Sequence, residues 1–160
     1  MQVSDCMSSN VRVCAPEDPI RDAARAMREI DVGVLPVGEN DRLVGMITDR
    51  DIAIRGVGEG KGPDATVREV MTGEVRYCFE DEDVSDVAMN MGDLKVRRLP
   101  VVSRDKRLVG IISLGDVSRS DGEADMSGAA LSAISEPGGR HTTAWMSRPL
   151  GRRCPRDDRA

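Results

Sequence analysis

Aromatic residues are almost missing from this chain, which has one Tyr, one Phe and one Trp in 160 residues. Tyr77, Phe79 and Trp145 cannot build a core. The interior therefore falls to Val, Ile, Leu, Ala and Met, and any pocket is walled by aliphatic side chains rather than by stacked rings. Histidine is scarcer still: His141 is alone and has no visible partners. The four cysteines (Cys6, Cys14, Cys78, Cys154) include no Cys-x-x-Cys pair. That excludes a zinc-finger spacing and a disulfide framework, and it points to the reducing cytoplasm. No apolar run approaches the ~20 residues of a membrane span. Residues Met1–Asp5 lack the basic stretch and apolar run of a signal peptide. The expectation is a cytoplasmic protein with no membrane partner.

A basic surface is missing too. The formal net charge is −5, and the segment from Arg140 to Ala160 holds six Arg against two Asp, so the remainder is more acidic than the whole. An acidic body argues against nucleic acid as a partner, because phosphate neutralisation dominates that binding. Hydrophobic residues at 39% and charged residues at 32% fit a soluble globular chain. The length fits one domain or two very small ones fused.

What is present is a repeat. Shifted by 64 residues, the chain matches itself: Val3 on Val67, Met7 on Met71, Cys14 on Cys78, Asp22 on Asp86, Met27 on Met91, and Leu35-Pro36-Val37 on Leu99-Pro100-Val101. One inserted residue near Arg104 changes the shift to 65, and Arg42-Leu43-Val44-Gly45 then falls on Arg107-Leu108-Val109-Gly110, with Asp51 on Asp116. Register kept this long indicates a tandem duplication.

Both halves read alike. Short helical turns fall at 3–7 and 67–71, and edge strands at 11–14 and 75–78. A helix follows, with Asp18 as N-cap and Pro19 as its first residue. Ile20, Ala23, Ala24, Met27 and Ile30 form its apolar stripe, and Val84, Val87, Ala88, Met91 and Leu94 form the second. Two strands come next, Val34–Val37 and Arg42–Ile47, repeated as Leu99–Val102 and Arg107–Ile112. Short helices at Asp49–Arg55 and Leu114–Arg119 close the halves. Gly56–Thr66 is a linker; it follows a helix and lacks phosphate-loop spacing. One half is too small to be stable alone, so the two are expected to pack sheet to sheet around one core. Beyond Ser120 the repeat stops. Ser127–Ile134 reads as a further short helix, and the last twenty residues as a disordered tail.

Each half has a hydroxyl and a carboxylate where a strand meets a helix: Thr48 with Asp51, and Ser113 with Asp116. The spacing suits a capping box. It equally suits a ligand site, since a carboxylate at a helix N-terminus can accept two hydrogen bonds from a cis-diol while backbone N–H groups face a phosphate. Arg97 and Arg98 precede Leu99 where the first half has Gly33 and Val34. A guanidinium fork suits phosphate, and strand alternation sends only one of the two into a cleft; a pair of solvated strand-edge arginines is the other reading. Arg50 and Arg55 flank the first motif and read as solvent-exposed helix residues, with a supply of positive charge to the first cleft as the other reading. Met27, Met46, Met71, Met89 and Met91 read as core filler. Cys14 and Cys78 read as small buried hydrophobes, with a redox pair as the minor alternative. No nucleophile–base pair, carboxylate dyad or metal cluster emerges, so no enzyme is expected.

The ordered motifs (Leu-Pro-Val, then Leu-Val-Gly-x-Ile, then Thr/Ser-x-x-Asp and a helix, twice) resemble the CBS domain over roughly residues 1–120. Two such domains in tandem resemble a CBS pair, or Bateman module. The resemblance implies an α+β fold of two β-α-β-β-α repeats related by a pseudo-two-fold axis. The expected divisions are 1–60, 61–122 and a C-terminal extension at 123–160. It also implies two clefts that bind an adenine nucleotide or related adenosyl ligand. The regulatory ligands to test are AMP, ATP, NAD and S-adenosylmethionine, with no cofactor required. In the family motif the aspartate holds the ribose hydroxyls and the hydroxyl residue contacts ribose or phosphate. Those roles fall on Asp51 and Thr48 in one cleft and on Asp116 and Ser113 in the other, with Arg97 or Arg98 as the phosphate contact. The expected function is a regulatory, nucleotide-sensing homodimer read by an unknown effector protein. The alternative is a ligand-free dimerisation and protein-interaction scaffold.

Overall fold

The computed structural model describes residues 1–120 and 124–136, with side chains for 1–120 and 127–136. The Arg-rich tail, with His141, Trp145 and Cys154, lies outside the described residues.

The first repeat contains α1 (Val3–Cys6), α2 (Ile20–Glu29), the strands β1 (Val34–Glu39) and β2 (Arg42–Thr48), and α3 (Asp49–Asp51). Helix α3 runs on into a wide π turn at Ile52–Gly56 and a 3-10 turn at Val57–Glu59. The second contains α4 (Val67–Val70), β3 (Cys78–Phe79), α5 (Val84–Leu94), β4 (Arg98–Val102), β5 (Leu108–Ser113) and α6 (Leu114–Arg119). A final helix, α7, spans Ala124–Ser135.

β1 pairs antiparallel with β2, and β4 with β5; β3 joins β4 in parallel. Each hairpin carries an irregularity at the equivalent place, Val37/Gly38 in one and Val101/Val102 in the other. The expected edge strand at 11–14 shrinks to a single bridge from Cys14 to Val37, and its counterpart to the two residues of β3. Residues 11–13 and 75–77 are exposed or half-buried, and pairing with the neighbouring strand starts only at the buried cysteine.

The cap of α2 differs from expectation by one residue. Pro19 is the N-cap and Ile20 the first helical residue. The Asp18 carboxylate instead accepts the Ala15 N–H at 2.7 Å, holding the preceding turn. In α5 the aspartate does cap: Asp83 accepts from the Ser85 N–H. The stripe of α2 is also rotated, since Ile20, Ala23, Ala26 and Met27 are buried while Ala24 and Ile30 are exposed. The stripe of α5 buries Val84, Val87, Ala88 and Met91 as expected, while Leu94 at its end is only half-buried.

The interior divides into two clusters rather than one shared core, and the repeats exchange segments to complete them. Val3 of α1 is buried with Val84, Met91 and Ile112 of the second repeat. Val67 and Val70 of α4 are buried with Ile20, Leu35 and Ile47 of the first. The backbone shows the same reciprocity. Gln2 bridges Asp83 as Thr66 bridges Pro19, and Ser8 bridges Ile111 as Thr72 bridges Met46. Such exchange gives each small repeat apolar area that it lacks alone.

The exchanged segments explain the glycine in each Leu-Val-Gly. A Cβ on Gly45 would lie 2.6 Å from the Met71 sulfur and 3.1 Å from the Thr72 carbonyl oxygen. On Gly110 it would lie 2.5 Å from the Met7 sulfur and 3.0 Å from the Ser8 carbonyl oxygen. Only a residue without a side chain admits the crossing backbone.

Helix α7 is longer than the sequence suggests and packs on α5 and α6. Gly92 permits the approach: a Cβ there would sit 3.3 Å from the Ala130 Cα. Ala130 is buried in the cluster of Val84, Met91 and Ile112.

Candidate functional site

β5 delivers Ser113 to the N-terminus of α6, and β2 delivers Thr48 to that of α3. Both junctions form complete capping boxes. In the first, the Thr48 N–H donates to Asp51 Oδ2 and the Asp51 N–H to Thr48 Oγ1, each at 3.0 Å. In the second, the Ser113 N–H and Oγ donate to Asp116 Oδ2 at 2.8 and 2.6 Å, and the Asp116 N–H donates to Ser113 Oγ at 3.2 Å. Capping is thus present in both copies, and each aspartate keeps Oδ1 clear of the box.

The two Oδ1 atoms have different surroundings. Asp116 Oδ1 accepts from Arg119 at 2.6 Å, and that arginine side chain is 76% exposed. Asp51 Oδ1 accepts from Arg55 at 2.9 Å, where the arginine is 36% exposed. Arg55 also donates to Thr72 Oγ1 at 3.0 Å. Arg55 is therefore not a free solvated residue as expected. The i,i+4 spacing places it over its own aspartate. Arg50 is exposed as expected.

Ser113 and Asp116 open onto a cleft of about 640 Å³. Its walls come from both repeats. Ser8, Asn10, Val11 and Arg12 enter from the segment after α1, with Ile30, Val32 and Val34 from the first repeat and Arg98 and Ile111 from the second. Arg98 pairs in register with Ser113, and no carboxylate partner of its side chain lies among the described residues. Arg97 does not line the cleft. It precedes β4, its side chain is exposed, and its carbonyl accepts the Leu114 N–H at 3.1 Å. Arg12 is held by Glu29 at 3.0 Å. The cleft thus offers a carboxylate, a hydroxyl, one unpaired guanidinium and an aliphatic wall.

Sequence reasoning missed the contribution of Ser8 to Arg12. The signal was present, because Ser8 and Thr72 are equivalent in the repeat. Their wall positions follow from the exchange of segments, which periodicity does not reveal. Ile30 was assigned to the core of α2 and instead faces this cleft. Among the methionines, Met27 and Met91 are buried, whereas Met89 is 54% exposed and is not core filler.

Cys14 and Cys78 occupy equivalent buried sites in separate clusters. Each thiol donates to a proline carbonyl, Pro36 at 3.6 Å and Pro100 at 3.8 Å. Burial pushes Cys14 up to about 11 and Cys78 up to about 12. Neutral, buried thiols behave as small hydrophobes. No group of three or more His, Cys, Asp or Glu able to hold a metal lies among the described residues. No helix there is long and apolar enough to cross a membrane.

The model of the CBS domain family matches residues 3–57 and again residues 67–123. The chain belongs to the CBS-domain family. It is 38% identical over 117 residues to Hypoxic response protein 1 of Mycobacterium tuberculosis, covering 72% of this chain and 81% of that protein. Among solved CBS pairs, that of protein MJ0100, in complex with 5′-methylthioadenosine and S-adenosyl-L-methionine, superposes with a TM-score of 0.67 at 32% identity. The match covers 74% of this chain and 94% of that one. CBSX2 in complex with AMP gives 0.66 at 32% identity, covering 74% and 93%. The tandem CBS-pair fold implied by the resemblance is the fold observed.

Proposed function

We propose that this protein is a regulatory module that binds an adenosine-containing nucleotide in the cleft closed by Ser113 and Asp116. The observation that carries this reading is the unpaired Arg98 guanidinium beside that pair in a cleft of about 640 Å³. A ligand with a cis-diol and a phosphate matches those groups. Asp116 Oδ1 receives the ribose hydroxyls once the exposed Arg119 swings away. Ser113 and Arg98 take the phosphate. Val32, Val34 and Ile111 provide the apolar surface for the base. Two CBS pairs of similar fold were crystallised with adenosyl ligands, which supports the ligand class.

The walls belong to both repeats, so binding bridges them and favours one arrangement over another. A change in shape or in dimer geometry is the output an effector protein reads. Calorimetric titration of the purified protein with AMP, ATP, NAD and S-adenosylmethionine tests the reading. Saturable binding of at least one is expected, and silence from all four sinks it.

A second reading, a dimerisation scaffold acting without ligand, draws on exposed apolar residues. Ile54 and Val57 follow α3 at 51% and 71% exposure, a pattern suited to a second copy of the chain. Intact dimers that bind none of the four compounds favour it.

A further inference from the structure

We infer that Arg55 masks the first cleft, so that the protein takes one nucleotide per chain although it carries two copies of the motif. The inference rests on the nucleotide reading proposed above.

Arg55 Nη2 makes two bonds, one to Asp51 Oδ1 at 2.9 Å and one to Thr72 Oγ1 at 3.0 Å. Asp51 Oδ2 is already held by the Thr48 N–H, so Oδ1 is the oxygen a diol needs. Thr72 belongs to the segment that crosses from the other repeat, where its backbone pairs with Met46 in both directions. The guanidinium therefore ties the motif to the opposite wall of its own cleft. An incoming ligand must break both bonds before it reaches the carboxylate.

The second cleft has no equivalent of this tie. The position corresponding to Arg55 is Ser120, whose hydroxyl turns back to the Asp116 carbonyl oxygen at 2.9 Å. The residue corresponding to Thr72 is Ser8, and it lines the open cleft. Arg119 does touch Asp116, but it lies on the same helix, is 76% exposed and makes no bond to the facing wall among the described residues. Arg119 can therefore be displaced at one contact. Arg55 is half-buried and must give up two contacts at once. Arginine against serine at this position thus leaves one motif tied across to the other repeat and the other untied, beside the difference of Val34 against Arg98.

The test is the binding stoichiometry of the full chain for AMP, with S-adenosylmethionine in a parallel titration. Wild type should bind one equivalent, and Arg55→Ser, which installs the residue of the other repeat, should bind two. Adding Asp51→Ala to Arg55→Ser should return the count to one, which places the new site in the first cleft; circular dichroism checks that each variant is folded. Wild type and folded Arg55→Ser both at one equivalent would overturn the mask and leave the nucleotide reading standing. Wild type at two overturns it as well, and a fall from two to one in Arg55→Ser identifies Arg55 as a ligand contact. No binding of either compound to either protein overturns both readings together.

Discussion

Arg42 and Arg107, equivalent residues of the two repeats, form an antiparallel bridge with each other. A residue that pairs with its own counterpart lies on the axis that relates the halves. The reciprocal pairs Gln2–Asp83 and Thr66–Pro19 are arranged about the same axis. Both arginines are exposed, and neither side chain has an ion-pair partner among the described residues. Like charges directly opposite one another across strands are destabilising, whereas opposite charges contribute about 0.2–1 kcal/mol. Arg107→Glu should therefore raise the stability in urea by about 0.5–1 kcal/mol. A loss of stability would mean that the two side chains do not face each other.

Gly110→Ala tests the exchange of segments. Its Cβ meets the Met7 sulfur, which can move, and the Ser8 carbonyl oxygen at 3.0 Å, which is held by its pairing with Ile111. Overpacking of this kind costs about 1–3 kcal/mol. The expected result is a lower denaturation midpoint with an unchanged slope, together with weaker ligand binding, because Ser8 is also a wall of the cleft. A neutral outcome would count against the crossing of Met7 and Ser8 over β5.

The two repeats, their elements and the paired motif were legible in the sequence because a duplication writes each signal twice. Leu35 with Leu99 and Met27 with Met91 repeat the apolar pattern, and Thr48-Asp51 with Ser113-Asp116 repeat the cap. What the sequence did not disclose is long-range. Val3 and Val67 look like members of their own repeats and are buried in the opposite ones. Ile30 continues a helical stripe on paper, yet it is the C-cap of α2 and faces the cleft. Arg55 pairs with Asp51 at ordinary i,i+4 helix spacing, but its second bond, to Thr72 of the crossing segment, is long-range.

The cap of α5 has a pH signature. The Ser85 hydroxyl and N–H, with the Met1 ammonium, hold Asp83 down to about 2 from the ordinary 3.8. A carboxylate lowered on folding stabilises fully above its unfolded value, and that contribution is lost as pH falls through the folded one. Wild type should lose the contribution of Asp83 between about pH 4 and pH 2. Asp83→Ala should melt lower than wild type at pH 6, and the difference should shrink through that window. A difference independent of pH would show that the carboxylate charge plays no part in the cap.

In the proposed module Asp116 serves a ligand as well as a helix end. Both roles are read from one pair of samples: the full-length wild type and Asp116→Ala, titrated with the best binder among AMP, ATP, NAD and S-adenosylmethionine, with thermal unfolding measured alongside. Loss of the cap should cost about 1 kcal/mol of stability and leave the protein folded. Loss of the diol contact should weaken binding about tenfold or more, which is about 1.4 kcal/mol or greater. A folded Asp116→Ala protein that binds as tightly as wild type would contradict the account and leave Asp116 as a cap alone.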